Sequence, residues 1–134
     1  MSVSPHVTIS STYTRSVNLE RDSQSDNFDS GYIVTSRALR TLATVSSCFP
    51  ITNQPRAWSL LGPYGSGKSS FALFLSHLLS NPESEKAKIA LQLLKDSDRG
   101  LELAIRAETK DTKGYAAVLI SGTPEKLSLK YLYS

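Results

Sequence analysis

The stretch GPYGSGKSS, residues 62–70, packs three of the chain's seven glycines into six positions. Before it runs AWSLLG (57–62), short, uncharged and ended by a glycine. After it comes SSFALFLSHLLS (69–80), with Phe71, Leu73, Phe74, Leu75, Leu78 and Leu79 spread almost all round a helical projection. The first run reads as a short apolar strand that turns sharply at Gly62, and the second as a buried or nearly buried helix. A strand, a tight glycine loop and a buried helix in immediate succession leave few architectures open.

The loop itself matches G-x-x-x-x-G-K-[ST] in full: Gly62, four residues, Gly67, Lys68, Ser69. That spacing has a physical use. A triphosphate concentrates several negative charges in a small volume. A glycine loop can turn successive backbone N–H groups toward it, and the start of a helix adds the positive end of its dipole. Gly65 and Gly67 are suited to backbone angles that a side chain would block. Lys68 is placed to reach the β- and γ-phosphates, and Ser69 to put its hydroxyl on Mg²⁺. The candidate nucleotide-binding set is Gly62, Pro63, Tyr64, Gly65, Ser66, Gly67, Lys68, Ser69 and Ser70. Lys68 is its catalytic cation, Ser69 its metal ligand, and ATP with Mg²⁺ its expected cargo. Ser70 serves equally as a polar first-turn residue, whereas Tyr64 reads as a shape-filling residue of the loop and not a catalytic one.

The remaining chain supplies helices and one further apolar run. VTSRALRTLATVSSCF (34–49) predicts a helix that Thr35 or Ser36 can cap. Its apolar face carries Leu39, Leu42 and Ala43, with Ala38 and Val45 alongside. Pro50 stops it. PESEKAKIALQLLKDSD (82–98) predicts another, with Pro82 in the first turn and Ile89, Leu91, Leu93 and Leu94 on the apolar side. RGLELAIRAETKDTKG (99–114) continues as a third short helix. YAAVLISG (115–122) reads as a second strand, and TPEKLSLKYLYS (123–134) as the start of a helix opened by Thr123 and Pro124. Residues 1–30 are polar and predict an arm or small hairpin, leaving 31–134 as the folded domain. The expected class is α/β: a partial P-loop nucleotide-binding domain with an incomplete parallel sheet.

Hydrolysis needs more than a grip. A carboxylate at the end of a second apolar strand normally orients the metal and the attacking water. AAVLIS ends in Ser121, Gly122 and Thr123, without one. Asp96, Asp98, Glu108 and Asp111 sit in polar surroundings and read as solvated charges, as do Arg99 and Arg106. Two strands also fall short of a complete doubly wound sheet. The chain thus reads as the N-terminal part of something larger.

GYIVTSRALRTL (31–42) followed by RAWSLLGPYGSGKSSFALFLSHLL (56–79) resembles the N-terminal region of large bacterial AAA-like P-loop ATPases, including those of anti-phage defence and DNA restriction systems. The resemblance covers roughly residues 30–125. It implies that Gly62, Gly65, Gly67, Lys68 and Ser69 bind ATP and Mg²⁺, and that the chain serves DNA-directed work through a larger complex, with a protein partner or further copies of itself. The alternatives are a truncated module that binds nucleotide or a partner without turnover, and a small phosphotransferase in which DSDRG (96–100) offers a lid acid and arginine.

Composition narrows the setting. With 134 residues, 40% hydrophobic, the chain can bury a real core. A net charge of +3 is too small to imply nucleic acid by itself. The single Cys48 excludes an internal disulfide, and one cysteine with two scattered histidines gives no zinc spacing. No apolar run approaches the roughly 18 residues of a membrane span, and the N-terminus lacks a signal-peptide pattern. A cytoplasmic location is expected, without a membrane partner.

Overall fold

The computed structural model describes Asp22, residues 31–49 and 56–120, and Gly122. Among the described residues four helices can be traced from end to end: α1 (Ser36–Ser46), α2 (Lys68–Leu79), α3 (Glu85–Ser97) and α4 (Arg99–Thr112). The arm expected over residues 1–30 and the helix expected over 123–134 lie outside the described residues, Asp22 excepted.

Each helix starts where local chemistry lets it. Thr35 Oγ1 accepts from the N–H of Ala38 at 3.2 Å and so caps α1, as its sequence predicts. Helix α3 begins at Glu85 rather than beside Pro82. Asn81 Oδ1 first accepts from the N–H of Glu83 at 3.0 Å, and Ser84 Oγ then caps the N–H of Ala87. A single residue separates α3 from α4. Asp98 donates its N–H to Leu94 O at 2.6 Å, closing α3, while its carboxylate accepts from the N–H of Leu101 at 3.0 Å, opening α4. One aspartate therefore both stops and starts a helix.

The core lies where α2, α3 and α4 meet, with α1 laid against α4. Phe71, Phe74 and Leu78 of α2 recur at helical spacing and are buried. They meet Ala90, Leu91 and Leu94 of α3, Ile105 of α4, and Ala38 and Leu42 of α1. The Tyr32 ring stacks on Phe74 with centroids 4.6 Å apart. Each large aliphatic or aromatic side chain buried this way stabilises the fold by roughly 1.5–3 kcal/mol. On α3 the small residues Ala87 and Ala90 go inside, while Ile89, expected on the apolar side, stays partly in solvent. Glu102 of α4 is also buried. Its carboxylate accepts from Arg106 Nε at 2.7 Å, one turn on, which supplies the partner a buried charge requires.

The α/β expectation fails. Among the described residues there is no strand and no sheet. The partial P-loop nucleotide-binding fold is therefore not what this part of the chain adopts, and membership of the P-loop and AAA-type ATPases loses its architectural basis. The reason is hydrogen bonding. A strand persists only when its N–H and C=O groups bond a neighbour. Residues 57–61 and 116–120 lack helical structure, yet no backbone hydrogen bond joins either of them to anything described. Their apolar character predicted burial, but the four helices fill the core without them. Leu61 is 91% exposed and Val118 80%. Ser121, the last residue of the expected second strand, lies outside the described residues.

No helix among the described residues is long and apolar enough to cross a membrane.

Candidate phosphate-binding loop

Residues 62–67 join the segment 56–61 to the first turn of α2. The loop is built from a turn and a left-handed cap. The N–H of Ser66 donates to Pro63 O at 3.3 Å, which folds 63–66 into a turn with Tyr64 and Gly65 at its centre. Gly65 has φ 77°, the left-handed value that a turn of this kind asks of its third residue. Gly67, at φ 81°, is the residue from which α2 springs. A methyl group at either glycine would meet nothing within 4 Å, so backbone angle and not space explains both.

Because Gly67 has no side chain, it makes no capping hydrogen bond. The first backbone bond of α2 runs from the N–H of Phe71 to Gly67 O at 2.9 Å. The N–H groups of Lys68, Ser69 and Ser70 therefore have no intrahelical acceptor, and they mark the positive end of the helix dipole.

Lys68 folds back over the loop that precedes it. Its Nζ donates to Gly62 O at 2.8 Å, to Pro63 O at 2.7 Å and to Ser66 Oγ at 3.2 Å. All three ammonium hydrogens are so engaged. The ring is tight at Gly62, where a Cβ would come within 3.0 Å of Ser66 Oγ. Here, unlike at Gly65 and Gly67, the lack of a side chain serves space.

The structure thus brings Gly62, Pro63, Ser66 and Lys68 into one bonded ring, with Gly65 and Gly67 setting its path. Ser69 lies exposed in the first turn of α2, and Ser70 is half-buried beside it. Tyr64 projects from the turn and is 93% exposed. Comparison with protein-family models, with curated proteins and with solved structures returns no match. The chemistry of the loop must be read from its own atoms.

The carboxylates weighed in the sequence have other work. Asp98 joins α3 to α4, so DSDRG is a helix joint. Asp96 accepts from Gln92 Nε2 at 2.8 Å along α3. Glu108, read as a solvated charge, is half-buried and accepts from the Tyr115 hydroxyl at 2.5 Å. Arg106 is held by Glu102. Among the described residues no group of three or more His, Cys, Asp and Glu side chains is arranged to hold a metal.

Two features escaped the sequence reading. One is Ser66 closing the ring onto Lys68, for which spacing two residues before the lysine is the only signal. The other is the tie between Tyr115 and Glu108, seven residues apart across the end of α4. The glycine between them in sequence, Gly114, is the clue that the chain doubles back there.

Proposed function

We propose that residues 62–70 bind the phosphates of a nucleoside triphosphate with Mg²⁺, ATP being the ligand of choice for a first test. The observation that carries this reading is the conjunction of two left-handed glycines, N–H groups at the start of α2 that have no intrahelical acceptor, and an ammonium group held at the mouth of the same loop. Backbone donors and a lysine on one short loop suit an anion of high charge density. Lys68 takes a terminal phosphate by exchanging one or more of its loop acceptors for phosphate oxygen. Ser69, exposed in the first turn, offers its hydroxyl to the metal. Adenine rather than another base rests on the sequence resemblance alone, since a loop of this kind reads phosphates.

Titration calorimetry of the full chain with ATP and MgCl₂ tests it. Saturable binding that inorganic triphosphate competes away, and that Lys68→Ala weakens, is the expected result. Absence of binding by the folded wild-type chain, or equal binding by Lys68→Ala, overturns the reading.

A further inference from the structure

We draw no further inference here: the strongest candidate, the exposed apolar surface of the two non-helical segments 57–61 and 116–120, carries nothing because no feature of the structure shows what covers it.

Discussion

The N–H of Tyr115 donates to the carbonyl oxygen of Leu79 at 2.7 Å, binding the chain that leaves α4 to the end of α2. The residue before it makes this approach possible. A Cβ on Gly114 would lie 2.3 Å from both the carbonyl carbon and oxygen of Ser80, and Gly114 has φ 85°. Lys113, at φ 55°, already takes a left-handed conformation just ahead of it. Tyr115 then lays its ring near Phe49, centroids 6.4 Å apart, and gives its hydroxyl to Glu108. One residue so ties together α2, α4 and the chain after α1.

Gly114→Ala should be among the costliest small substitutions in the protein. It combines backbone strain with direct overlap on main-chain atoms that cannot rotate away. The expected loss is about 2–4 kcal/mol in urea unfolding. Gly100→Ala is the control: its Cβ comes no closer than 3.3 Å to Asp98 Oδ1, and it sits in the first turn of a helix, so stability should change by less than about 1 kcal/mol. Equal effects at the two sites would rule out the close approach at Ser80.

Core truncation should separate residues that look alike in sequence. Phe74 is fully buried under the Tyr32 ring and at the centre of the cluster. Phe74→Ala should cost about 3–5 kcal/mol. Ile89→Ala, on a side chain that is 37% exposed, should cost no more than about 1 kcal/mol. Chemical denaturation of both variants checks the ranking, which reverses if the apolar side of α3 runs through Ile89.

The helices were legible because their signals are local. Thr35 before α1 and the Asn81–Pro82 break after α2 act within one turn of where they stand, and the apolar stripe of 71, 74 and 78 needs only helical periodicity. The two non-helical segments were not legible for the opposite reason. AWSLL and AAVLI are short apolar runs, the second with the β-branched Val118 and Ile120, but a strand is a relation between two stretches of chain, and neither sequence says that its partner is present. The loop divides along the same line. Its glycines and the helix after it could be read from spacing, whereas the non-helical path of 57–61, read as a strand, could not. The three acceptors of Lys68 come from atoms two to six residues back, and only the folded loop shows them meeting.

Asp98 offers a sharper test of local control, because two helices share it. Asp98→Ala removes the side-chain acceptor for Leu101 and should cost about 0.5–2 kcal/mol. Asp98→Asn keeps an oxygen in place and should restore most of that loss. Far-ultraviolet circular dichroism with thermal unfolding distinguishes the two variants. Equal destabilisation by both would mean that charge, and not the capping bond, matters at this joint.

Alkaline pH should weaken the fold through its tyrosines. Burial pushes the Tyr32 phenol from 10.0 up to about 12. Tyr115 is raised as well, first by its hydrogen bond to Glu108 and then by burial, with Arg56 pulling the other way. In both cases the folded state holds the phenolic proton more tightly than the unfolded chain does. The contribution of Tyr32 is therefore complete below about pH 10 and lost as pH climbs through about 12, and that of Tyr115 is lost in the same direction. Urea midpoints taken from about pH 8 to about pH 11.5 should fall over the upper part of that range. Tyr32→Phe keeps the stack on Phe74 and should flatten the decline; an unchanged slope would remove Tyr32 from the account.

Lys68 makes its three side-chain hydrogen bonds to its own loop. Its ammonium group is at the surface of the loop rather than in the core, so Lys68→Ala should shift stability by no more than about 1 kcal/mol. Binding is another matter. A charge-assisted hydrogen bond to phosphate is worth about 1.5–3 kcal/mol, and its loss should weaken ATP binding by roughly 10- to 150-fold. Gly67→Ala reaches the same site by a different route. No atom lies within 4 Å of the added methyl, but φ 81° is strained for alanine, so the first turn of α2 must shift and its N–H groups lose their aim. Affinity should drop in both variants while the thermal midpoint of Lys68→Ala stays close to wild type. A variant of Lys68 that unfolds would instead show the lysine to be a structural clasp, its three bonds holding the loop closed for the sake of the fold alone.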